Sequence, residues 1–94
     1  MNLNDMYSFE ELTNEAERLV LNELGVQLEA LGDDACFSEE CVLDMAAYAL
    51  NHVRPMYRVN LIGRLYADSL MIEHGDEIRS FVREAIEKIS EESR

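Results

Sequence analysis

Residues 38–55 read Ser38-Glu39-Glu40-Cys41-Val42-Leu43-Asp44-Met45-Ala46-Ala47-Tyr48-Ala49-Leu50-Asn51-His52-Val53-Arg54-Pro55. Ser38 suits a helix N-cap, and Glu39 and Glu40 place negative charge in the first turn, where the helix dipole favours it. Cys41, Val42, Met45, Ala46, Ala49, Leu50 and Val53 then recur at three- and four-residue spacing and form a wide apolar face. Pro55 lacks an amide hydrogen and pushes Arg54 out of helical geometry, so the helix must stop near His52. The stretch predicts a largely buried central helix that ends at a proline turn.

Beyond that turn, Tyr57, Val59 and Leu61 alternate with Arg58 and Asn60, the period-two pattern of a short half-buried strand closed by Gly63. No other segment reads as a strand, so the expected partner is the same segment of a second copy across a two-fold axis. Before the central helix, Ser8 with Glu11 matches a capping box. A first helix is therefore expected from Ser8, with Leu12, Ala16, Leu19, Val20, Leu24, Leu28 and Leu31 on its apolar face. Gly25 lies inside this pattern and Gly32 is placed to end it, with Asp33 and Asp34 opening the connection. From Arg64 to Ser90 a third helix is expected, and an interruption would fall at His74-Gly75-Asp76. Ile78, Phe81, Val82, Ala85, Ile86 and Ile89 give it the cleanest amphipathic pattern in the chain. Glu84 stands four residues before Lys88, the favourable order for a helical ion pair.

The fold class is thus mainly α: a small helical domain with one short extended segment or strand after the central proline turn. Its 94 residues leave room for a single domain, with a core of about residues 8–90 and flexible ends at 1–7 and 91–94. A domain this small buries a limited share of its surface, so a homodimer is the natural supplement.

Twenty acidic against eight basic side chains give a net charge of −12, which repels extended polyanions and argues against DNA, RNA or anionic-membrane binding. The longest apolar run, Met45 to Leu50, is far short of a membrane span, and the first twelve residues lack the pattern of a signal peptide. A cytoplasmic protein is expected. The charge is uneven. Residues 45–67 hold Arg54, Arg58 and Arg64 and no acid, while the rest of the chain is strongly acidic. Guanidinium groups match phosphate oxygens in pairs and stack on flat rings, so these arginines with Tyr57 and Tyr66 make a candidate anion site. The bland alternative is that each arginine neutralises a carboxylate of its own chain, with Arg64 and Asp68 as an obvious pair.

Cys36 and Cys41 are too few for a disulfide framework and read as thiols in a reducing compartment. A metal would need further ligands from a dimer mate or from His52 and His74, so no metal and no cofactor is expected. His52 suits a helix C-terminus without any chemistry. No nucleophile and base fall together and the glycines form no phosphate loop, so the chain does not read as an enzyme. Asp44 reads first as a structural partner of the loop near Arg54 or Arg58.

The segment Cys41 to Tyr57 resembles the ComFB family, small bacterial proteins named for late competence development. The family signature runs Cys, two residues, Asp, an apolar helix ending Ala-Leu-Asn, then a proline-containing turn and Tyr. Gly63, Tyr66 and Ala85-Ile86 continue the likeness, which spans about Asn14 to Ile89. The resemblance implies a mainly helical homodimer and a receptor for a cyclic dinucleotide messenger, cyclic di-GMP or cyclic di-AMP, that relays to a downstream protein. Carried over by position, ligand contact falls on Asn51, Arg54, Tyr57, Arg58 and Arg64, with Asp44 orienting the turn or reading a guanine edge. The chain departs from the family in three places. A single proline replaces the usual pair, Arg64 stands where an acid is common, and only Cys36 precedes Cys41 where further cysteines can make a metal site.

Overall fold

Asn14 starts the first long helix: its side-chain oxygen accepts the amide of Ala16 at 3.1 Å, satisfying one of the orphan donors of the first turn. A computed structural model describes residues 1–59 and 67–92, and the side chains of all of these except 67 and 68. In chain order the elements are α1 (Leu3–Met6), β1 (Thr13–Asn14), α2 (Glu15–Leu31), a 3₁₀ turn (Gly32–Asp34), α3 (Glu39–His52), β2 (Tyr57–Arg58) and α4 (Ala67–Glu92). The chain is a small mainly α domain with one short two-stranded sheet.

The helix expected from Ser8 therefore begins six residues later. The Ser8 hydroxyl accepts only the nearby Glu10 amide, at 3.4 Å, and every residue from Met1 to Leu12 is exposed. A cap stabilises a helix only where an apolar face follows to be buried, and here that face starts at Ala16. At the other end of α2, Gly32 takes φ 57°, which L side chains rarely adopt, and its amide donates to the Leu28 carbonyl.

Helices α2, α3 and α4 all pack against one another, α3 and α4 most extensively. Val20, Met45, Ile78 and Val82 are completely enclosed at the centre. Around them lie Leu19, Leu24 and Leu28 of α2, Ala46 and Ala49 of α3, and Ala85 and Ile86 of α4. The expected boundaries of α3 hold: Ser38 Oγ accepts the Cys41 amide at 3.2 Å, and His52 is the last helical residue. No interruption falls at His74-Gly75-Asp76, and α4 is continuous through 26 residues. Gly75 gives up its side-chain volume to Arg79: a Cβ there would meet that guanidinium at 2.9 Å, where it pairs with Asp76 at 2.7 Å.

Two further expectations are corrected. The strand after the proline pairs within its own chain, antiparallel to β1, with Thr13 opposite Arg58 and Asn14 opposite Tyr57. Its inward residue is Met56, 4% exposed, while Tyr57 and Val59 face out. The expected alternation is one residue out of phase, and a one-residue shift moves every side chain of a strand to the opposite face. Cys36 and Cys41 are joined in a disulfide, with their Cα atoms 6.1 Å apart. The irregular connection after Asp34 folds Cys36 back onto the first turn of α3, a separation that a disulfide spans. Cysteine usage thus gives no support to a reducing compartment. Asn60, Leu61, Gly63, Arg64 and Tyr66 lie outside the described residues, as does the Arg64–Asp68 pair. No described helix is long and apolar enough to cross a membrane.

Candidate functional site

Where α3 stops, the chain turns under tight backbone control. The Val53 amide donates to the Ala49 carbonyl at 2.8 Å, and Pro55 prevents a further turn. Asn14 Oδ1 then accepts a second amide, that of Met56, at 2.8 Å, while the Glu15 amide donates to the Met56 carbonyl, also at 2.8 Å. One side-chain oxygen at the start of α2 thereby caps its own helix and pins the post-proline turn. Buried Met56 and Val53 anchor the turn from below.

This anchoring directs the candidate ligand residues outward. Asn51 is exposed on the last turn of α3, and Tyr57 is exposed on β2. The Arg54 side chain is 60% exposed, and its Nε donates to Glu77 Oε2 of α4 at 3.0 Å. Arg58 is half-buried, and its Nη1 donates to the Tyr57 carbonyl at 3.1 Å. Asn51, Arg54, Tyr57 and Arg58 thus occupy one helix end and the segment that leaves it. Asp44 does not join them. It stands exposed in α3 two turns before Asn51, about 10 Å along the axis at 1.5 Å per residue. There it lines a recess with Cys36, Ser38, Glu40, Cys41, Ile89 and Glu92.

Behind the turn, the His52 ring stacks on Tyr48 with centroids 4.3 Å apart and contacts Phe81 at 5.5 Å. His52 Nδ1 lies 2.7 Å from the Tyr48 carbonyl, placing a side-chain N–H donor on a carbonyl of the last turns of α3. Partial burial pushes the Tyr48 hydroxyl up from its ordinary value. The Glu84 carboxylate, which also accepts its hydrogen bond, raises it further, against an opposing pull from Lys88.

Sequence reasoning missed Asn14 and Glu77. Asn14 with Glu17 three residues on carries the same capping signature as Ser8 with Glu11, and only the burial of Ala16 and Leu19 decides between them. Glu77 left no local signal, since nothing in α4 alone reveals that it faces Arg54. Among the described residues no group of three or more His, Cys, Asp or Glu is placed to hold a metal ion.

The family model for the late competence development protein ComFB matches residues 13–93. The chain belongs to the ComFB family. The ComFB match opens at Thr13, where the first strand pairing begins, and leaves the exposed α1 segment outside. The structure is also similar to that of the late competence protein ComFB from Bacillus subtilis, at 24% identity and a TM-score of 0.65. That likeness covers 85% of this chain and 91% of the other, and shows a shared ComFB fold. Among curated proteins, none matches the chain.

Proposed function

We propose that this ComFB-family chain is a cytoplasmic, non-catalytic signalling module that binds a cyclic dinucleotide, cyclic di-GMP or cyclic di-AMP, at the turn after α3. As a homodimer it relays occupancy to a protein partner. The observation that carries this reading is the outward grouping of Asn51, Arg54, Tyr57 and Arg58 on a pinned turn, in a 23-residue window without a carboxylate. Two guanidinium groups can take phosphate oxygens, and the open face of Tyr57 can stack a purine. Arg54 is held by a solvent-exposed ion pair, an interaction worth about 0–1 kcal/mol, so a phosphate can displace Glu77 at small cost. Arg64 belongs to the proposed contact set by sequence, while Asp44 stands two helical turns back from Asn51, beside the recess at the start of α3.

Titration calorimetry with cyclic di-GMP, cyclic di-AMP and the linear dinucleotide tests the reading. The expected result is binding of a cyclic form tighter than about 100 μM, near −5.5 kcal/mol. Arg58→Ala should weaken it about tenfold with little change in melting temperature. Absence of binding by either cyclic form overturns the receptor reading, as does an Arg58→Ala variant of full affinity. The alternative is a dimeric protein-interaction module without a nucleotide ligand. It draws on the exposed Leu21, Val26, Leu43 and Ile72 on the outer faces of the three long helices. Light scattering at graded concentrations reports the dimer that both readings require.

A further inference from the structure

At the other end of α3, away from the proposed ligand turn and independent of it, the Cys36–Cys41 bridge is placed for chemistry. Cys36 is half-buried on the irregular connection after the 3₁₀ turn, flanked by exposed Asp34, Phe37 and Ser38. Cys41 is 7% exposed, belongs to the core and sits in the first turn of α3. The two are the only cysteines in the chain, so the pair can open and close within one molecule. We propose that Cys36–Cys41 is a reversible thiol–disulfide exchange site, attacked at Cys36, that sets how firmly the α2–α3 connection is held to the start of α3.

The chemistry follows from this asymmetry. An incoming thiolate attacks Cys36 Sγ and forms a mixed disulfide there. The Cys36–Cys41 bond breaks, and its electron pair leaves on Cys41 Sγ, which takes up a proton. A second thiol attacks the sulfur of the first, releasing the oxidised small disulfide and a Cys36 thiolate that is protonated in turn. Two thiols thereby lose two electrons and two protons, and the protein disulfide gains them. Attack falls on Cys36 because its sulfur is the more accessible of the two, Cys41 lying in the core. The surroundings also select the reductant. Glu40, Asp44 and Glu92 line the recess that contains both cysteines, and Asp33 and Asp34 precede it. An anionic thiol such as glutathione is repelled, and a cationic thiol or a reductase with a basic face is drawn in.

The test uses the full chain purified without reductant, held in thiol buffers of graded reduced-to-oxidised ratio, blocked with N-ethylmaleimide and weighed intact. The expected result is a change from no adducts to two, with the singly labelled species scarce, under native conditions. Two adducts in every buffer would show unpaired cysteines and overturn the proposal. So would a bridge that opens only after denaturant is added, since that is a sealed clamp. In Cys41→Ser the remaining Cys36 should form a mixed disulfide at least tenfold faster than Cys41 does in Cys36→Ser; equal rates overturn attack at Cys36. At low salt and equal thiolate concentration, cysteamine should open the bridge severalfold faster than glutathione. Raising the salt should narrow that difference, and the reverse order overturns the charge selection. Hydrogen exchange should quicken at Asp33 to Cys41 on reduction and stay unchanged at Ile78 to Val82. Equal exchange in both forms overturns control of the connection.

Discussion

At its N-terminal end α3 is fastened by near neighbours: Ser38 holds the Cys41 amide from three positions away, and Cys36 is bonded to Cys41 across a sequence separation of 5. At its C-terminal end the fastening comes from afar. Asn14 reaches Met56 across 42 positions and Glu77 reaches Arg54 across 23. The first kind of closure costs little chain entropy and forms with the helix; the second can form only once α2 and α4 have docked. The acidic end is therefore held by contacts that are local in sequence. The Arg54 turn, where the ligand residues stand, inherits its shape from the rest of the fold.

The largest test of this contrast is Asn14→Ala. It removes the α2 cap, worth about 1 kcal/mol, and leaves the part-buried Met56 amide without a partner, worth about 1–3 kcal/mol more. A loss of about 2–4 kcal/mol is expected, lowering the melting temperature by on the order of 10 °C or more in a domain of this size. Asn14→Asp keeps both acceptor positions and should retain most of the stability. If the alanine variant melts within about 2 °C of the parent, the long-range pin is not what holds the turn.

The same contrast explains which features are legible in the amino-acid sequence. The cap at Ser38, the stop before Pro55, the core face of α3 and the Ile78-to-Ile86 stripe are all legible, because each depends on residues within one or two turns. Ser8 reads as a helix start because its capping signature is locally equivalent to that of Asn14, and only burial of Ala16 separates them. Met56 reads as outward-facing for a related reason: alternation gives a period but not a phase, and the phase is set by the pairing of β2 with β1. The cysteine pairing is not legible because it depends on the path of the connection after Gly32. Of the candidate ligand residues, Asn51, Arg54, Tyr57 and Arg58 fall together since they are near in sequence. Asp44 falls apart from them since a straight helix carries it away.

Ser38→Ala probes the local end and should cost about 1 kcal/mol, the usual effect of a lost N-cap. Because Cys36 remains bonded to Cys41, the variant should keep its N-terminal turn in oxidised form and fray there on reduction. Amide exchange at Glu39 to Val42, measured with and without dithiothreitol, separates the two fasteners. Equal exchange in both states would show that the bridge gives the turn no support of its own.

Glu77→Gln loosens the distant end more gently. The Arg54 side chain is largely exposed, so removing its carboxylate partner should cost less than about 1 kcal/mol, and less still at high salt. On ligand binding the sign reverses. A guanidinium freed from Glu77 meets a phosphate without first giving up a partner, so cyclic dinucleotide affinity should rise severalfold. A fall in affinity would mean that Glu77 positions Arg54 for the ligand and does not compete with it.

The smallest effect sits behind the turn, at Tyr48. Its hydroxyl is raised above the ordinary 10.0 by partial burial first and by the Glu84 charge second. Folding therefore holds the phenolic proton more tightly than the unfolded chain does. The resulting stabilisation is fully present below pH 10.0 and is lost as the pH climbs through the higher folded value. Melting temperatures taken at intervals above pH 9 should fall more steeply for the parent than for Tyr48→Phe, which has no proton to lose. At neutral pH the two should melt at nearly the same temperature, since they differ only in the hydroxyl that faces Glu84. Since Tyr48 also stacks on His52, whose ring nitrogen faces the Tyr48 carbonyl, the phenylalanine keeps the stack and isolates the hydroxyl. Parallel alkaline curves would mean that the hydroxyl is as well solvated in the folded chain as in the unfolded one, and that α4 does not close over this end of α3.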